Sequence, residues 1–140
     1  MASTVLSDCV ARIADAWLEI KSIFEHEHPD RSLIITATYR DPEEQFRLYQ
    51  VGRRRLADGS WTVDEDPTTA VVTQLDGYRK RSKHNRRPAA ALDFCVLVGG
   101  KVSWDRREYE PVGALARARG LVWGGDWRTI PDAPHLEIPG

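Results

Sequence analysis

Four residues stand where their side chains have chemistry open to them. His84 sits inside a basic run, and Asp93 is the single acid in the apolar stretch Ala91-Leu92-Asp93-Phe94-Cys95-Val96-Leu97-Val98. Asp132 and His135 belong to Asp132-Ala133-Pro134-His135-Leu136-Glu137. A carboxylate in an apolar strand must be paired, hydrogen-bonded or metal-bound, because an isolated buried charge is too costly. One reading of Asp93 is a buried ion pair with a nearby arginine, since six of the nine residues from Arg79 to Arg87 are Lys or Arg. The other is a metal ligand alongside the two histidines. Catalytic zinc commonly takes three protein ligands and leaves a fourth position for water. That water ionises near neutral pH, and a neighbouring carboxylate can take its proton during attack on a carbonyl. His84, Asp93 and His135 offer such a ligand set, and Asp132, three residues before His135, offers the base.

The elements that must position these residues follow from periodicity. Val5, Leu6, Cys9, Val10, Ile13, Trp17, Ile20 and Phe24 recur at three- and four-residue steps, which predicts an amphipathic helix ending near His28-Pro29. The β-branched run Leu33–Tyr39 predicts a buried strand. Asp41-Pro42-Glu43-Glu44 supplies an N-cap, a first-turn proline and first-turn acids for a helix running to Gly52. From Arg54 to Gln74 the chain is polar and turn-rich, with Asp58-Gly59 and Asp66-Pro67, and is expected to be a long loop. Ala90–Val98 predicts a strand closed by Gly99-Gly100, Pro111–Arg119 a helix stopped by Gly120, and His135–Ile138 a last short strand. In a strand alternate residues share a face, so Asp93 lies with Ala91 and Cys95, and Glu137 with His135. Helices interspersed with strands over this length predict one small α+β domain spanning residues 1–140.

Composition narrows the function. A formal net charge of -1 excludes a polyanion binder driven by bulk charge. No apolar stretch reaches the roughly 18 to 20 residues that span a bilayer, and the first 15 residues carry acids where a signal peptide would have a basic region. The expectation is synthesis in the cytoplasm without a signal peptide of its own, and no membrane partner. Cys9 and Cys95 sit in apolar surroundings without a C-x-x-C pair, which predicts small buried thiols.

With these residues in place, the chain resembles the zinc D-alanyl-D-alanine metallopeptidase superfamily, and within it the L-alanyl-D-glutamate endopeptidases found among phage endolysins. The family's S-x-H and x-D motifs appear as Ser82-Lys83-His84 and Ala91-Leu92-Asp93, with a longer, proline-containing spacer in which Pro88-Ala89-Ala90 replaces the usual glycine. Its acid-x-x-His motif appears at Asp132 to Glu137, its G-L-x-W-G-G-x-W segment at Gly120 to Trp127, and its strand-arginine-helix segment at Thr36 to Arg53. The resemblance covers about Ser32 to Ile138.

It implies an α+β domain of the Hedgehog/D-Ala-D-Ala peptidase type, with a central, mainly antiparallel sheet flanked by helices. It also implies one zinc ion on His84, Asp93 and His135, and Asp132 as general base that later protonates the leaving amine. Arg40 would stabilise the oxyanion or hold a substrate carboxylate; a surface pair with Glu43 or Glu44 is its plain alternative. Ser82 and Trp127 are candidate substrate contacts, with a cap serine and a core aromatic as the alternatives, while Trp123 is assigned to the core. Glu137 would orient a ligand, unless it is a solvated strand-edge acid. His26 and His28, flanked by acids at a helix end, are read as solvated.

The expected substrate is the peptidoglycan stem peptide, acted on at the cell wall or periplasm by a monomer, at the L-Ala–D-Glu bond. The alternative bond is the terminal D-Ala–D-Ala linkage of carboxypeptidases and dipeptidases. Two readings from other classes remain beside it. One is an inactive zinc-binding interaction module, as the Hedgehog signalling domain resembles these peptidases in fold, which the intact Asp132 argues against. The other is a nucleic-acid-binding module using the basic run, which lacks domain-wide basic character or a recognisable nucleic-acid motif.

Overall fold

The computed structural model describes residues 2–64 and 70–140; the Asp66-Pro67 turn expectation lies outside the described residues. The element order is α1 (Ala11–Glu27), β1 (Arg31–Ala37), α2 (Pro42–Gln50), β2 (Arg53–Arg55), β3 (Trp61–Val63), β4 (Ala91–Val98), β5 (Lys101–Ser103), α3 (Arg106–Ala118), β6 (Val122–Trp123) and β7 (His135–Glu137). The main sheet runs β1-β4-β7-β6 with every pair antiparallel, and β5 also pairs with β4. β4 is the centre: β1 lines one side of it, while β7 takes Ala91 to Asp93 and β5 takes Val96 to Val98 on the other. This is the expected α+β architecture with an antiparallel sheet.

The alternation in β4 sorts the molecule into a core side and a site side. Leu92, Phe94 and Val96 are buried against Ile13, Trp17, Ile20 and Phe24 of α1 and Tyr109, Val112 and Ala116 of α3. Trp17 and Tyr109 each place a ring 5.5 Å from that of Phe94. Asp93 therefore faces away from this core, in the parity read from the sequence. Cys9 and Cys95 are both buried free thiols, and burial pushes the Cys9 thiol up to about 11. Among the described residues no helix is long and apolar enough to cross a membrane.

Several boundaries differ from expectation. The first helix is broken: Leu6–Asp8 form a single 3-10 turn and α1 starts at Ala11, because residues 8–10 pair with the chain at Ala89 (Ala89 N to Asp8 O 2.8 Å, Val10 N to Ala89 O 2.9 Å). The third helix begins at Arg106 rather than Pro111, since the Asp105 side chain caps it by accepting from the Arg107 N–H. Pro111 thus lies inside α3, whose buried stripe of Tyr109, Val112 and Ala116 recruits the extra turn. The segment expected to be a long loop contains the β2–β3 hairpin, whose Arg-Arg-Arg strand has no apolar alternation to announce it. Gly99 and Gly100, both at positive φ, turn β4 back into β5.

Candidate metal centre and cleft

The sheet itself aligns two of the proposed ligands. Asp93 lies directly across from His135 on β7 and from Ala37 on β1, where a bulge after Ile35 ends the regular pairing. His84 comes from outside the sheet, on the 3-10 turn Lys83–Asn85. Ser82 caps that turn: its Oγ accepts from the His84 N–H at 3.2 Å, and the Asn85 side chain accepts from the Ser82 N–H at 2.8 Å. Two further bonds fasten the turn to the end of β1, from Arg40 N to His84 O and from Asn85 Nδ2 to Arg40 O, each 2.8 Å. The spacer Arg86 to Ala90 returns through a cis Arg87–Pro88 bond, and Ala90 N closes on Lys83 O at 3.0 Å. Proline in place of glycine therefore does not keep His84 from Asp93.

Three donors converge. His84 Nε2 is 3.3 Å from His135 Nδ1 and 3.2 Å from Asp93 Oδ1, and His135 Nδ1 is 2.9 Å from that same oxygen. Among the described residues this is the one group of side chains set to hold a metal ion, and His26 and His28 take no part. His26 is exposed, and the His28 ring packs 4.7 Å from that of Phe24.

The outward atoms are each committed to a partner. His84 Nδ1–H donates to the Thr38 carbonyl at 2.7 Å, and His135 Nε2–H donates to Glu137 Oε1 at 2.8 Å. Both partners can only accept, so they hold the ring proton on the outer nitrogen and leave the inner lone pair facing the centre. Asp93 Oδ2 accepts from Arg40 Nη2 at 3.1 Å. Lone pairs and a carboxylate pressed together repel unless a cation or a proton lies among them. The spacing suits a cation, because a tetrahedron with arms of about 2.0 to 2.1 Å, as for zinc with nitrogen or oxygen, has edges of about 3.3 Å.

The electrostatics agree. Burial alone would raise the Asp93 carboxyl, but the charges and hydrogen bonds of His84 and His135 hold it well below the usual carboxylate range. Burial would lower His135, yet its hydrogen bonds to Asp93 and Glu137 raise it to about 9. A proton and a metal ion thus compete for the same Nδ1 lone pair. Asp132 sits at the margin, its Oδ2 3.9 Å from His135 Nδ1 and its side chain 44% exposed. Burial, and then the Asp93 charge, push its carboxyl above the ordinary value.

Backbone packing sets the place of Asp132. Its N–H donates to Gly124 O at 2.8 Å, and a Cβ on Gly124 would come within 2.3 Å of Asp132 O. Buried Trp123 bonds Ala133 O through Nε1 at 2.7 Å. The Trp-Gly-Gly run is therefore a seat for the Asp132-to-His135 turn.

The donors open into a cleft of about 800 Å³. Arg40, Ser82, Trp127, Asp132, His135 and Glu137 all line it, together with residues 71–75 and 129–131. The Trp127 ring lies 4.9 Å from that of His135. Arg40 corrects one expectation: it pairs with neither Glu43 nor Glu44, but bridges Asp93 and the buried Gln45, whose Oε1 it reaches at 2.9 Å. Glu137 is also not a solvated edge acid, being ion-paired to Lys83 as well as bonded to His135. Sequence reasoning passed over Thr38, which acts through its carbonyl and so leaves no side-chain signal. It also passed over Gln45, which ties Arg40 to the Leu75 carbonyl.

Comparison with known proteins bears out the resemblance. Residues 76–138 match the family described as D-alanyl-D-alanine carboxypeptidase. The chain is 29% identical over 116 residues to the peptidoglycan L-alanyl-D-glutamate endopeptidase CwlK of Bacillus subtilis (strain 168). That match takes in 76% of this chain and 60% of the relative, so the chain spans well under the relative's full length. The crystal structure of the Serratia marcescens L-Ala D-Glu endopeptidase ChiX superimposes with a TM-score of 0.57 at 20% identity, covering 96% of this chain and 83% of that one. At that identity the likeness is one of fold.

Proposed function

We propose that this chain is a zinc-dependent peptidase of the peptidoglycan stem peptide that cuts between L-Ala and D-Glu, in the manner of a phage endolysin. The observation that carries the reading is the convergence of His84, Asp93 and His135, each locked from behind, at the floor of a cleft with Asp132 at its edge. A bound zinc ion would activate water and polarise the scissile carbonyl. The chain's own residues supply the rest. Asp132, with its carboxyl raised, takes a proton on its carboxylate oxygen and returns it to the departing amine. Thr38, Glu137 and Arg40 keep the ligand atoms in place, and Trp127 offers an apolar wall against which the peptide lies. Ser82 contributes by capping the turn that presents His84, and it lines the cleft in which a peptide would lie.

The description of the matching family supports a second reading, cleavage of a terminal D-Ala–D-Ala bond. Digestion of purified wall, with mass spectrometry of the products and metal analysis of the same sample, separates the two. The first reading expects one zinc per chain, new D-Glu amino termini, and L-Ala left on the muramyl lactyl group. Release of free D-Ala with the L-Ala–D-Glu bond intact establishes the second reading, and an active sample without zinc removes the metal from both.

A further inference from the structure

Arg40, the cation expected to meet a substrate carboxylate, spends one donor on Gln45 and one on Asp93. Lys83, the next cation along the cleft, is held by Glu137 and the Ile138 carbonyl. Arg81 and Arg86 stand otherwise. They flank His84, three residues before it and two after, and both line the cleft. Both also line a second hollow of about 470 Å³, together with Tyr39, Ser82, Asn85 and Arg87. Among the described residues each makes one hydrogen bond, to a main-chain oxygen: Arg81 Nη2 to Asn85 O at 3.2 Å and Arg86 Nη2 to Gly140 O at 3.4 Å. Two exposed guanidinium groups with most of their donors unspent among the described residues thus line both hollows, in a chain whose acids outnumber its bases 21 to 20.

We propose that Arg81 and Arg86 form a carboxylate-binding subsite that reads the free α-carboxylate of D-Glu on the amine side of the cut bond. The proposal rests on the peptidase reading above. That carboxylate is borne by the carbon attached to the scissile nitrogen, so with the bond at the centre it lies close to the donors, one of which, His84, is carried by the stretch between Arg81 and Arg86. Planar guanidinium forks suit a carboxylate in two-pronged contact. A carboxylate so bound also discriminates against stems in which it is amidated, because the amide brings no charge and turns one acceptor into a donor facing donors.

Two tripeptides, L-Ala-D-Glu-L-Lys linked through the D-Glu side-chain carboxyl, test this. The D-Glu α-carboxylate is free in one and amidated in the other, and the Lys carboxyl is amidated in both. Calorimetric titration uses the zinc-loaded Asp132→Asn protein, so the peptide stays uncut, and kcat/KM is measured on the zinc-loaded wild type. The free acid should bind about tenfold or more tightly than the amide, the scale of a charge-assisted contact. Arg81→Ala/Arg86→Ala should abolish that preference while leaving zinc content and thermal midpoint unchanged. Arg54→Ala, an exposed arginine outside the cleft lining, should keep it. The subsite is overturned if the double variant still prefers the acid, or if it weakens both peptides equally. Arg-dependent preference without cleavage of the L-Ala–D-Glu bond leaves the subsite standing and removes the peptidase reading; cleavage without that preference does the reverse.

Discussion

Replacing Glu137 isolates the contribution of an acid outside the candidate ligand set. Its Oε1 accepts from His135 Nε2 at 2.8 Å, and its other oxygen is ion-paired to Lys83, with both side chains largely buried. Glu137→Ala leaves the His135 N–H without an acceptor, frees the ring to carry its proton on Nδ1, where the lone pair for a metal should be, and removes a negative charge that makes the ring more basic. Losing such an outer partner typically weakens metal binding by about 10- to 100-fold. At 1.36 kcal/mol per tenfold, that is about 1.4 to 2.7 kcal/mol. Glu137→Gln keeps an acceptor oxygen for Nε2 and loses only the charge, so it should fall at or below the low end of the range. Lys83→Met, which leaves the His135–Glu137 bond intact, should fall lower still. Zinc affinity is read by competition against a chromophoric chelator, with circular dichroism confirming the fold. Equal zinc affinity in wild type and Glu137→Ala would refute the orienting role, and a larger loss in Lys83→Met than in Glu137→Gln would show that the ion pair matters more than the imidazole contact.

Other substitutions separate the remaining roles. Asp132→Asn should retain zinc and fold while turnover drops by about 100- to 10,000-fold, as for loss of a general base; loss of zinc in this variant would make Asp132 a ligand. Arg40→Ala removes the hydrogen bond to Asp93 Oδ2, so it should lower both zinc affinity and turnover, and unchanged zinc binding would return Arg40 to a purely substrate-facing role. Gly124→Ala drives a methyl against the Asp132 carbonyl and should cost about 1 to 3 kcal/mol by overpacking, visible as a lower thermal midpoint; an unchanged midpoint with normal turnover would contradict the seat assigned to Gly124. Binding to duplex DNA should be weak and lost near physiological salt, because a few surface cations give only salt-sensitive attraction, and sub-micromolar selective binding would revive the nucleic-acid reading.

The sequence was most legible where a residue broke the pattern around it. Asp93 stood out because every neighbour in β4 is apolar, and strand parity alone put it on the face away from the core. The same parity set Glu137 beside His135, where the structure has it. Other features carried no such contrast. The Arg53–Arg55 strand reads as solvated charge, and the two-residue strand β6 is too short for any period to show. Pro111 read as a helix start because proline favours the first turn, yet the Asp105 cap six residues upstream outweighs it. The partners of Arg40 were hidden for another reason. Glu43 and Glu44 are near in sequence, whereas Asp93 becomes near only through the β1–β4 register.

The two readings of Asp93 weighed from the sequence, ion pair and metal ligand, do not exclude each other, because its two oxygens face different partners. Oδ2 faces Arg40, and Oδ1 faces the two imidazoles. A carboxylate bound only to a metal is free to rotate between one- and two-oxygen contact; with Arg40 on Oδ2, a single oxygen is offered to the centre. Thr38 and Glu137 place the same limit on the histidines, one nitrogen each. Three donors fixed singly would leave a tetrahedral ion one open position, and the cleft with Asp132 at its margin would give water access to it. Arg40, expected to hold substrate, lines the cleft and also holds the Asp93 carboxylate. In the proposed peptidase the stem's charge would then be met by cations with donors to spare, and among the described residues that line the cleft, Arg81 and Arg86 each spend one on a main-chain oxygen.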